Sequence, residues 1–128
     1  MSKKRRILVV EDNPTSRKLA CDILSWAGYE VVGVGDAELA LRVLGKASPD
    51  MVLMDIGLPG MDGLSLARKI KAAALTAHIK IVALTAFAMK ADEQKARDAG
   101  CDGYITKPID TRTFAGQVTE CFDPDESA

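Results

Sequence analysis

The pattern that most constrains this chain is a short apolar run that recurs five times, each time followed by a stretch of helical periodicity. Residues 7–10 (ILVV), 51–54 (MVLM) and 81–84 (IVAL) are uniformly apolar, and the first is rich in β-branched side chains. Such runs read as strands buried on both faces. Residues 31–34 (VVGV) and 104–105 (YI) are weaker versions, the first diluted by Gly33 and the second preceded by Gly103. Between the runs, apolar residues return at helical spacing. Asn13-Pro14 supplies an N-cap and a first-turn proline. Leu19, Ala20, Ile23, Leu24, Trp26 and Ala27 then form one stripe, closed by Gly28. Asp36 opens a second helix with Ala40, Val43, Leu44 and Ala47 inward, and a third turns Leu66, Ala67, Ile70 and Ala73 inward. A polar fourth helix covers about residues 89–99 and ends at Gly100. Asp110 caps a fifth, whose inward residues are Phe114, Ala115, Val118, Cys121 and Phe122.

Strands alternating with helices predict an α/β fold with a parallel sheet covered on both faces. The most apolar strands, the first, third and fourth, belong inside; the second and fifth belong at the edges. Right-handed crossovers then favour a doubly wound five-stranded sheet in the order 2-1-3-4-5 with five helices. The 128 residues suffice for one domain, with an acidic tail at 123–128 expected to be mobile. Met1 and this short tail fit a complete gene product.

Several function classes fall away on composition. A net charge of -1 gives no global pull toward nucleic acid. No apolar run approaches the roughly 18 residues of a membrane span. The basic start, residues 3–6, leads into only four apolar residues, too few for a secretory signal, so a cytoplasmic location is expected. Cys21, Cys101 and Cys121 are odd in number and form no CxxC pair, which argues for buried reduced thiols instead of disulfides or zinc. His78, the only histidine, falls in a loop and is expected to be exposed.

In a parallel sheet the C-terminal strand ends share one edge, and ligands of open α/β sheets bind there, where the strand order reverses. That edge would carry Glu11, Asp12, Asp55, Thr85 and Lys107. Crowded carboxylates stay ionised only beside a cation. All-oxygen ligands without histidine or thiolate suggest Mg²⁺. Asp55 is then placed to attack phosphorus, with the Lys107 ammonium offsetting charge on the transferring group and Thr85 able to bond a phosphoryl oxygen. A cis bond at Lys107-Pro108 would aim the lysine into the site. Asp36 and Asp110 read as plain helix caps.

Four segments in this order resemble the receiver domains of two-component response regulators, which have a flavodoxin-like fold. They are residues 9–13 (VVEDN), 53–63 (LMDIGLPGMDG), 83–86 (ALTA) and 104–108 (YITKP), and the likeness covers about residues 5–122. Residues 85–90 (TAFAMK) and the lack of an output domain look closest to small single-domain regulators of the DivK type. The resemblance implies that Asp55 is the phosphoacceptor and that Asp12, Asp55 and the Gly57 carbonyl hold Mg²⁺ (or Mn²⁺), with Glu11 acting mostly through water. It implies a phosphohistidine donor on a sensor kinase or phosphotransfer protein, or a small acyl phosphate. It makes Thr85 and Tyr104 a switch pair acting on the face of the fourth helix, fifth strand and fifth helix, toward a downstream protein. It implies no direct DNA binding and a monomer or weak dimer. Gly57 and Phe87 stand where side chains tune hydrolysis, and neither can orient a water, so slow self-dephosphorylation is expected.

Three other readings compete. A phosphatase of the haloacid-dehalogenase type needs a second acid two residues past the nucleophile, where this chain has Gly57. A flavin-binding module needs a hydroxyl- and glycine-rich phosphate loop, where this chain has Glu11-Asp12. An inactive scaffold would not need the acidic set.

Overall fold

The computed structural model describes residues 4–46, 48–56, 63–85, 90–107 and 109–122, with residues 90–92 as backbone only. The expected tail at 123–128 and the expected core residue Ala47 lie outside the described residues. The elements alternate as predicted: β1 (Arg6–Val10), α1 (Pro14–Trp26), β2 (Glu30–Val34), α2 (Ala37–Leu44), β3 (Met51–Asp55), α3 (Gly63–Ala72), β4 (Lys80–Thr85), α4 (Lys90–Asp98), β5 (Gly103–Thr106) and α5 (Phe114–Phe122).

All strand pairs are parallel and the order is β2-β1-β3-β4-β5, as strand apolarity predicted. The sheet divides the apolar side chains into two cores. Ile7, Val9, Met51, Leu53, Val82 and Leu84 point toward α1 and α5, where Leu24, Phe114 and Val118 meet them. Leu8, Val10, Val52, Met54, Ile81 and Ala83 point toward α2, α3 and α4. Strand alternation alone produces this division.

The edge strands are thin for a packing reason. A Cβ at Gly33 would lie 2.9 Å from Cys21 Sγ, and one at Gly103 would lie 2.9 Å from Cys121 Sγ. Each edge glycine leaves room for a half-buried cysteine from the helix above it, so two of the three thiols expected to be buried are only partly so; Cys101 is buried. Burial raises the pKa of all three.

The N-caps form as read. Asn13 accepts from the Ser16 N–H at 3.0 Å and Asp36 from the Leu39 N–H at 2.8 Å. Gly28 and Gly100, at φ 103° and 101°, end their helices in the left-handed region. Asp110 caps the turn that leads into α5, through Arg112 N–H at 2.9 Å, and the helix itself begins at Phe114. Gly63 opens α3. A Cβ there would sit 2.5 Å from the Asp55 carbonyl oxygen, so only glycine lets α3 start this close to the end of β3.

Four inward assignments are corrected, among them Ala27, which is exposed at the C-cap of α1. Trp26 is 81% exposed and Leu19 39%, because α1 buries a narrower stripe through Ala20, Ile23 and Leu24. Ala73 is exposed because α3 stops at Ala72. Among the described residues no helix is long and apolar enough to cross a membrane.

Candidate functional site

Register builds the site. Val10 pairs with Met54, so Glu11 and Asp55 are the next residues along two adjacent strands. Both continue the alternation of Ile7, Val9, Met51 and Leu53, and Lys107 continues that of Ile105, so the three side chains share one side of the sheet edge. Distances agree. Lys107 Nζ donates to Asp55 Oδ2 at 2.7 Å and to both Glu11 carboxylate oxygens at 3.1 Å. The Lys107 N–H donates to the Thr85 carbonyl at 2.6 Å, which ties the lysine's loop to the end of β4. Asp12 completes the cluster: one oxygen from each of Glu11, Asp12 and Asp55 lies within 4.8 Å of the others.

Thr85 falls on the other side. It follows the alternation of Ile81 and Ala83, as Tyr104 does through its pairing with Ala83. Thr85 is buried and Tyr104 half-buried against the α2–α4 core. The hydroxyl and the ring therefore share the face that α4 covers. Gly57, Phe87 and Pro108 lie outside the described residues, as do the expected ligand, hydrolysis and cis-bond roles that fall on them. His78 is exposed, as expected.

The electrostatics follow from burial. Desolvation, above all, pushes the Glu11 carboxyl from its ordinary 4.5 up to about 7; hydrogen bonding to Asp55 adds to the rise and Lys107 opposes it. Burial works against the Lys107 ammonium too, but its bonds to Asp55 and Glu11 outweigh that and raise its pKa above 10.5. Among the described residues three carboxylates thus cluster beside the Lys107 ammonium, an excess of negative charge, and the ligands they offer are hard oxygens. That donor set fits a divalent cation such as Mg²⁺.

Sequence reading missed one residue here. Arg17 reaches back from α1, and its Nη1 donates to the Glu11 carbonyl at 2.9 Å. Its only signal in the sequence is the pair of glycines, Gly33 and Gly35, beneath its side chain.

Glu11 makes stability depend on pH. Its pKa is higher folded than unfolded, so it withdraws stability as pH rises from about 4.5 through about 7. Without added metal, Glu11→Gln is expected to gain about 2 kcal/mol relative to wild type between pH 5 and pH 8. Chemical denaturation of both proteins at the two pH values measures this. A difference that does not change with pH contradicts the buried, protonatable carboxyl.

Comparison with known proteins agrees with this geometry. The sequence profile of the response regulator receiver domain matches residues 7–119. The polar-differentiation response regulator DivK of Brucella ovis is 39% identical over 110 residues, which are 86% of this chain and 89% of that protein. The crystal structure of a CheY-like response regulator receiver domain protein from Methanospirillum hungatei superposes with a TM-score of 0.86 at 30% identity, covering 98% of each chain. The receiver domain of the sensor histidine kinase PA1611 from Pseudomonas aeruginosa, solved with a magnesium ion coordinated in its active site cleft, gives 0.83 at 32% identity over 94% of this chain and 98% of that one. With its sheet order, its strand-end acidic cluster and these relatives in agreement, the chain belongs to the response regulator receiver domain family, whose members signal through phosphorylation of an aspartate.

Proposed function

We propose that Asp55 is the phosphoacceptor of this receiver, that Glu11, Asp12 and Asp55 with the Gly57 carbonyl hold Mg²⁺, and that Lys107, Thr85 and Tyr104 carry the signal outward. The observation that supports this most is the shared Lys107 ammonium, 2.7 Å from Asp55 and 3.1 Å from Glu11. It holds the Asp55 side chain at the strand end with a positive charge beside it, the placement a carboxylate nucleophile needs. A bound Mg²⁺ would supply charge neutralisation to the transferring phosphoryl group.

The chain's own residues account for the rest. An Asp55 oxygen forms the new bond to phosphorus as the bond from phosphorus to the donor's imidazole nitrogen breaks. The electron pair leaves with the imidazole, which takes up a proton. Lys107 then turns its ammonium from the carboxylate to the phosphoryl oxygens, where the added negative charge is greater. The Thr85 hydroxyl moves toward a phosphoryl oxygen and vacates space on the α4 side. Tyr104, on that same side, turns in to fill it. The α4–β5–α5 face changes as a result, a local charge event that biases two packings. Donors are a sensor histidine kinase or a histidine phosphotransfer protein, and the receiver of the signal is a downstream protein that binds the altered face.

Incubation with Mg²⁺ and a small acyl phosphate is expected to give one phosphoryl adduct by intact mass, with none for Asp55→Asn. An adduct that persists in the mutant, or that forms equally well with a chelator present, removes the assignment. A wild-type chain that accepts nothing from acyl phosphate or from a phosphohistidine donor points to a scaffold.

The lifetime of the adduct depends on whether a side chain can orient an attacking water. Gly57 has no side chain and Phe87 offers no hydrogen bond. Slow self-dephosphorylation follows, and Phe87→Glu is expected to speed decay about tenfold or more by giving the water a general base. Equal decay in the two proteins would show that Phe87 has no part in setting the rate.

A further inference from the structure

We infer that Arg17 is a positioning residue, which fixes the peptide joining Glu11 to Asp12 and so sets the direction in which Asp12 faces Asp55. The inference rests on the metal role proposed above for these carboxylates.

The Glu11 backbone is held on both sides. Its N–H donates to the Val34 carbonyl at 3.0 Å, which ties it to the end of β2. Its carbonyl accepts from Arg17 Nη1 at 2.9 Å, a bond strengthened by the donor's full charge. Asn13, on the other side of Asp12, is fixed as the α1 N-cap: its side chain accepts from Ser16 N–H at 3.0 Å and its carbonyl from Arg17 N–H at 2.9 Å. Asp12 thus lies between two anchored residues, and Arg17 contacts both. The Asp12 side chain is exposed, so its backbone, rather than packing, sets where the carboxylate points.

The end of β2 is built to admit this arginine. A Cβ at Gly33 would lie 3.0 Å from Arg17 Cγ and 3.2 Å from Cδ, and one at Gly35 would lie 3.0 Å from Nη1. These are tighter than ordinary contacts, so a side chain at either position would crowd the arginine. Gly35 does not sit at positive φ, so alanine there is compatible with the backbone and crowds only the guanidinium. The two glycines thus form a track along which the Arg17 stem lies, and the guanidinium meets the one carbonyl that precedes Asp12. Groups that orient metal ligands in this way typically govern affinity by about tenfold or more.

The test is Mg²⁺ affinity by titration calorimetry on the full chain, with thermal midpoints recorded for every variant. Arg17→Met keeps the stem over Gly33 and removes the donor. It is expected to weaken Mg²⁺ binding about tenfold while the midpoint stays within a few degrees. Gly35→Ala, which shifts the guanidinium by a few tenths of an ångström without removing it, is expected to weaken binding by a smaller factor in the wild-type background and to add nothing in Arg17→Met. Arg17→Met or Gly35→Ala with wild-type Mg²⁺ affinity overturns the inference, as do two effects that simply multiply. If Arg17→Met does not fold, Gly35→Ala alone decides. A wild-type chain that binds no Mg²⁺ overturns the metal reading and this inference with it, whereas Mg²⁺ binding indifferent to Arg17 overturns this inference alone.

Discussion

The site depends on one ammonium held between two carboxylates. Lys107 Nζ lies within 3.1 Å of Glu11 and 2.7 Å of Asp55, and without it two acidic groups at adjacent strand ends would repel in a poorly solvated cleft. Burial has already pushed Glu11 to about 7, so the pair stands near the limit of what one lysine can neutralise. The site is therefore short of positive charge. A divalent cation would relieve the shortage, and under the proposed function a phosphoryl group on Asp55 would compete for the same ammonium. On that reading one electrostatic deficit would make the site both receptive to metal and responsive to phosphorylation.

In the proposed mechanism the sheet carries that local event elsewhere. Alternation puts Glu11, Asp55 and Lys107 on one side of the edge, while Thr85 and Tyr104 fall on the side that α4 covers. The Lys107 N–H to Thr85 carbonyl bond, at 2.6 Å, joins the two sides through the backbone. Helix α4 is polar for most of its length, and among its described side chains only Ala96 is buried. An element with so little apolar anchoring shifts at low cost. The rest of the frame is held more firmly: Lys80 Nζ donates to the last carbonyls of α5 at 3.1 and 2.8 Å, and the Tyr29 ring stacks on Phe122.

Much of this was legible in the sequence because the signals involved are binary. A strand buried on both faces must be apolar throughout, so β1, β3 and β4 identified themselves, and their polar successors marked the site edge. The caps at Asn13 and Asp36 were readable because short polar side chains before a helix have few other uses. The misreadings on α1 share one cause. Trp26 and Leu19 fit a helical stripe by spacing, but α1 covers an edge of the sheet, and the buried arc is narrower than the apolar one. Arg17 could not be found by spacing at all. Its role depends on a backbone carbonyl and on Gly33 and Gly35 in and just after β2, and nothing in a one-dimensional pattern links those glycines to Arg17. Gly33 was noticed only as a weakness of β2, whereas the structure makes it room for Arg17 and Cys21.

The central claim, that charge at Asp55 is read out at the α4–β5–α5 face, is tested most directly by amide NMR of the chain before and after Mg²⁺ and acyl phosphate. The account predicts large shifts at Lys107, Thr85, Tyr104 and along α4 and α5, with α2 and the first half of β2 nearly unmoved. A stoichiometric adduct on Asp55 whose shifts stop at the strand ends, leaving Tyr104 and α4 unchanged, would contradict it.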